Sequence, residues 1–184
     1  MNTKDQHWIN ATQKWLKTFI IEYSICPFAR REVERGSIFY AVNHERKIKN
    51  CLQHLLQECE RLNSDVSIET SLLIYTGTFK LFDNYLDFLA MAEDALIDEG
   101  YEGVYQLASF HPDYIFNESD AEDPANYTNR SPFPMLHLLR ESSIDRAVST
   151  YLDTDKIPER NMNLTRQLGL AKMKDLLIAC SHNF

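Results

Sequence analysis

The sequence predicts an α/β fold, a small mixed or parallel sheet of three or more strands flanked by helices. Two observations carry this. Short aliphatic and aromatic runs recur at 37–42, 71–76 and 104–110, each the length of a strand. Long stretches with helical spacing separate them, and strands alternating with helices point to parallel or mixed α/β topology.

Taken in order, residues 6–24 read as a helix. Trp8, Trp15, Phe19 and Tyr23, with Ile9, Leu16 and Ile20, fall near a period of 3.6. Pro27 ends it, because proline disfavours helical backbone in the residue before it. SIFYAV at 37–42 is the first strand, introduced by Gly36. Residues 44–63 form a helix with Ile48, Cys51, Leu52, Leu55, Leu56, Cys59 and Leu62 on its apolar face. SLLIYT at 71–76 is a second strand, apolar enough for burial on both faces. A helix over 82–99 carries Phe82, Leu86, Leu89 and Leu96, with Gly100 as its stop. VYQLASF at 104–110 is the third strand, and a fourth is sought near 31–36 or 112–116. Residues 131–151 read as one or two helices. A last helix runs from Pro158 to Cys180, with Leu164, Leu168, Ala171 and Leu177 inward.

At 184 residues, 44% hydrophobic and 25% charged, the chain fits one domain over 1–184 with a sizeable core. A net charge of -8 argues against sequence-independent nucleic-acid binding, which needs clustered Lys and Arg. There is no apolar signal core at the N-terminus and no run of roughly 20 apolar residues, so no membrane partner is expected. The chain reads as soluble and cytoplasmic. Cys26, Cys51, Cys59 and Cys180 form no CxxC pair, and free thiols fit a reducing compartment. No glycine-rich nucleotide loop and no HExxH is present. The sequence names no cofactor, no metal and no oligomeric state.

The unusual stretch is Phe110–Glu141, FHPDYIFNESDAEDPANYTNRSPFPMLHLLRE. A long aperiodic loop inside a domain is usually functional or disordered, and this one is too aromatic for disorder. Tyr114, Phe116, Tyr127 and Phe133 anchor it, while the acidic tip from Glu118 to Glu122 carries no such anchors.

CPFA at 26–29, FHPDYIF at 110–116 and the run from Asp123 to Glu141 ending in TNRSPFPMLHLLRE resemble an uncharacterised bacterial family, the domain of unknown function numbered 1415. The resemblance spans nearly the whole chain. It implies that these three motifs are the family's marks, and it transfers no reaction.

The motifs suggest roles. His111, leaving the end of a strand, has a side chain that titrates near neutrality and suits a general base, with Asp113 to orient it. Cys26 is the candidate nucleophile, with Arg30 nearby. Ser131 reads as an N-cap before Pro132, so a helix start there gives an anion cradle with Arg130. Asn126, Thr128 and Asn129 lead into it. On a helix through MLHLLRE, His137, Arg140 and Glu141 share one face. The resulting expectation is one pocket for a small anionic molecule, in an enzyme or in a non-catalytic sensor or interaction protein.

Overall fold

A computed structural model describes residues 5–151 and 153–181. The sheet has four strands, β1 (Ile38–Asn43), β2 (Thr70–Tyr75), β3 (Tyr105–Phe110) and β4 (Met135–Arg140), in the order β1-β2-β4-β3. β1 and β2 are parallel, and β4 runs antiparallel to both of its neighbours, β2 and β3. The fold is therefore α/β with a mixed sheet.

Side-chain alternation divides the core in two. Ala41, Leu73, Tyr75, Leu136, Leu138 and Tyr105 face one cluster, covered by α3 (Ile48–Ser64) and α4 (Phe82–Asp98). Leu72, Ile74, Met135, Tyr40, Val42 and Phe110 face the other. That side is covered by α1 (Gln6–Trp15), α6 (Ile157–Leu168) and α7 (Leu170–Ser181). Successive residues of a strand point to opposite faces, so each strand feeds both clusters.

The fourth strand lies at neither place predicted for it. Residues 29–35 form the short helix α2 (Ala29–Arg35), and 112–116 are irregular. MLHLLR, expected as helix, is β4; the helix that follows it is α5 (Glu141–Thr150). Two forces decide this. Pro132 and Pro134 hold the preceding residues extended, so the chain arrives as a strand. The central position between β2 and β3 then buries Met135, Leu136 and Leu138 completely, which outweighs the helical preference of Leu and Met.

Smaller differences have local causes. The first helix widens into a π-helical turn at Leu16–Ile21, which keeps Leu16, Phe19, Ile20 and Ile21 all buried. Its end is tied by Arg160, whose guanidinium donates to the carbonyls of Ser24 and Tyr23, and by Asn161, which donates to Ile25. The expected last helix is two, broken at Gly169 (φ 81°, ψ 157°). On α4 the buried stripe is Tyr85, Phe88, Ala92 and Leu96, whereas Leu86 is exposed.

Tyr85 does more than pack. Its hydroxyl donates to the Met135 carbonyl (2.7 Å) and accepts from the Phe110 amide (3.1 Å). Phe110 and Met135 are register partners, so the hydroxyl is inserted where β3 and β4 part. Replacing Tyr85 with Phe leaves a buried donor and acceptor unpaired, each costing about 1–3 kcal/mol. The Tyr85→Phe protein should lose at least about 2 kcal/mol in urea unfolding; an unchanged midpoint would show that water takes over the bridge.

Candidate functional site

The long loop leaves β3 at His111 and returns at Ser131. Its base is zipped: the His111 amide donates to Asn129 O, and the Ser131 amide to His111 O. Inside it, Pro124–Thr128 forms a 3-10 turn capped by Asp123, whose carboxylate accepts from the Ala125 amide.

His111 is fully buried. Nε2 lies 2.8 Å from the carbonyl of Phe79, and Nδ1 lies 3.0 Å from the amide of Asp113. A carbonyl only accepts and an amide only donates, so Nε2 carries the proton and Nδ1 spends its lone pair on Asp113. The ring is neutral, and burial lowers its pKa below the ordinary histidine value. The orienting group from Asp113 is its backbone amide; its side chain is exposed.

The other polar residues of the loop are spent in the same way. Asn126, fully buried, donates to Asp120 O and accepts from the Phe116 amide. Thr128 donates to Ala125 O, and Asn129 donates to Ser109 O. Ser131 caps no helix; its hydroxyl donates to Phe133 O at 2.6 Å. Just past the acidic tip, Arg166 of α6 grips Asp123 through Nε and Nη2 at 3.1 and 2.7 Å, and at the tip's last residue Lys174 of α7 meets Glu122 at 3.4 Å. Asp123 is held down to about 2, first by the Arg166 hydrogen bond and then by the Ala125 amide.

The expected single pocket does not assemble. Cys26 packs into the cluster beneath α1, whereas the His111 ring sits among Phe82, Tyr85 and Tyr114 on the α4 side. The Cys26 sulfur faces the Phe28 and Ala29 amides, but burial outweighs them and pushes its pKa up, leaving a thiol. Arg30 is exposed on α2 and bonds no described residue. Arg140 donates to Leu62 O and Ile68 O, capping the end of α3. The six residues of β4 separate Arg140 from Met135 by roughly 17 Å at the rise of a strand, so Arg130 and Arg140 cannot share a ligand. On that strand His137 and Arg140 point to opposite faces. Glu141 starts α5 and contacts the sheet through its amide, donated to Val104 O. His137 sits in the sheet face: Thr70 donates its proton to Leu138 O (2.6 Å), so His137 Nε2–H donates to Thr70 Oγ1 (2.7 Å). Burial brings its pKa down to about 4.

Arg130 differs from these. Nε donates to Tyr114 O and Nη2 to Ala121 O, and the guanidinium lies 4.6 Å over the Tyr127 ring. Its third nitrogen, Nη1, has no partner among the described residues. Arg130 lines a cavity of about 200 Å³, counted out to the mouth, with Trp15, Phe19, Tyr127, Met173, Leu176 and Leu177. Trp15 is buried and its Nε1–H is one of two buried polar side-chain atoms without a partner among the described residues. A larger hollow, about 450 Å³ counted in the same way, lies between Pro27 and the first turn of α6, where Lys156 is already paired with Asp153.

A family model, Protein of unknown function (DUF1415), matches residues 7–175. The chain belongs to that family. All three motifs of the resemblance, Cys26–Ala29, Phe110–Phe116 and Asp123–Glu141, fall inside the matched span. No curated protein and no solved structure matches the chain. Among the described residues no group of His, Cys, Asp and Glu is placed to hold a metal ion, and no helix is long and apolar enough to cross a membrane.

Sequence reasoning missed two residues of this DUF1415 chain. Glu58 is buried at 1% exposure, accepting from Ser71 Oγ (2.9 Å) and Arg61 Nε (3.1 Å); a serine heading a strand as apolar as SLLIY was the available signal. Trp15 was placed on an apolar stripe, with nothing in the spacing to reveal an unpaired N–H.

The titrations make separable predictions. The folded pKa of His137 lies below its unfolded value, so its contribution is whole above about 6.5 and is lost as pH falls toward about 4. Asp123 is also depressed: its contribution is whole above about 3.9 and is lost as pH falls through about 2. Unfolding curves of His137→Gln should therefore flatten between pH 6.5 and 4, and those of Asp123→Asn only below pH 4. An Asp123→Asn profile parallel to wild type below pH 4 would remove the Arg166 clamp from the acid response.

Proposed function

We propose that the protein is a non-catalytic binder of a small anion, with Arg130 as its seat. The observation that carries this reading is a half-buried guanidinium with no carboxylate partner among the described residues, in a chain of net charge -8. Other cations that reach a distant segment meet a carboxylate there, as Arg166 meets Asp123, Lys174 meets Glu122 and Arg146 meets Glu69. Arg130 instead spends two nitrogens on carbonyls, which orient the fork but leave its charge uncompensated. An arriving anion gains a charge-assisted hydrogen bond at Nη1, on a side chain already immobilised, so little entropy is lost.

The geometry favours binding over catalysis. His111 has its one lone pair engaged by the Asp113 amide, and Cys26 is kept as a thiol by burial. A general base must reach the proton it abstracts, and neither residue offers that here.

Binding to the native state alone raises stability by mass action. Thermal unfolding at constant ionic strength should rise with acetate or phosphate in wild type, and Arg130→Gln should abolish the rise. The absence of any saturable shift up to about ten times a Kd of roughly 1 mM, an affinity of about −4 kcal/mol, would sink the proposal.

A further inference from the structure

We infer that the anion taken at Arg130 is a monocarboxylate carrying a short hydrocarbon tail. This rests on the reading of Arg130 as an anion seat and names the ligand class. Arg130 and Trp15 line the same cavity. Each brings one donor without a protein partner among the described residues, Nη1 of Arg130 and the buried Nε1–H of Trp15. The Trp15 ring is held edge-on to Phe110 at 5.2 Å between centroids, so its donor is fixed before a ligand arrives.

Two donors match the two oxygens of a carboxylate, one each. They do not match phosphate, whose remaining oxygens would be stripped of water with nothing to replace it. The remaining wall is apolar: Phe19, Met173, Leu176 and Leu177. A hydrocarbon tail running from the head group toward the mouth covers these side chains, and each buried methylene tightens binding by roughly fourfold.

Calorimetric titration of the full chain with formate, propionate, butyrate and inorganic phosphate, at one ionic strength, tests this. Affinity should rise about three- to fourfold per methylene from formate to butyrate, with phosphate weaker than butyrate. Trp15→Phe keeps an aromatic ring and removes only the donor; it should bind butyrate about tenfold more weakly, the loss of one hydrogen bond. Should Trp15→Phe not fold, the indole N–H resonance of Trp15 in wild type replaces it and should move downfield as butyrate saturates. Carboxylate affinities flat with chain length, or phosphate binding tighter than butyrate, overturn the ligand class and leave the anion seat standing. An unshifted indole resonance, or full butyrate affinity in Trp15→Phe, overturns the two-donor arrangement. If none of the four anions binds, the Arg130 reading and this inference fall together.

Discussion

The neutral imidazole of His111 is the constraint around which this end of the molecule is built. It joins three separate segments. Its Nε2–H holds the carbonyl of Phe79 in the turn between β2 and α4, its Nδ1 holds the start of the long loop, and its own backbone pairs with Asn129 and Ser131 at the loop's return. Phe79 itself has a positive φ of 61°, a conformation costly for a bulky residue. It is kept there by the histidine and by stacking on Phe88 at 4.2 Å. Protonation of the ring would remove the acceptor that the Asp113 amide needs. Burial favours the neutral ring and outweighs the Phe79 carbonyl and the Asp113 carboxylate, which favour the charged one.

The same economy runs through the loop. Long polar loops are expensive to order, and here Asn126, Thr128, Asn129 and Ser131 meet that cost by replacing missing backbone partners. The side chains that looked most like a ligand cradle are therefore the ones that make the loop rigid. Arg140 serves the far end of the sheet in the same manner, neutralising the carbonyl end of α3. Arg130 alone among the singled-out arginines combines fixed geometry with an open nitrogen beside a cavity.

Much of the fold was legible because helical and alternating patterns survive wherever an element has one wet face. α3 is the clear case: Cys51, Leu55, Cys59 and Leu62 are fully buried as their spacing indicated. β4 was not legible, because a central strand is apolar on both faces and loses its period of two; MLHLLR then reads equally well as helix. The helix expected from Pro158 to Cys180 is broken at Gly169, whose backbone (φ 81°, ψ 157°) is open essentially to glycine alone. At the site, residue types were readable but their partners were not. His111 followed by Asp113 suggests a base and its orienting acid, yet the bond comes from the amide that every residue possesses. Glu58 on α3 is a buried charge whose partners, Ser71 and Arg61, meet it only in the folded chain.

The strand order has a consequence for how the chain is made. β4 is the last strand to leave the ribosome and it occupies a central place, between β2 and β3. Until residue 140 has emerged, β1 and β2 can pair with each other, but β3 has no neighbour at all. The sheet cannot be completed by adding to an edge; it must admit its final strand into a gap. Such non-local pairing is slow to nucleate, and it leaves β2 with an edge of unpaired backbone N–H and C=O groups until β4 arrives. A nascent chain stalled just past β3 is thus the species most in need of a chaperone.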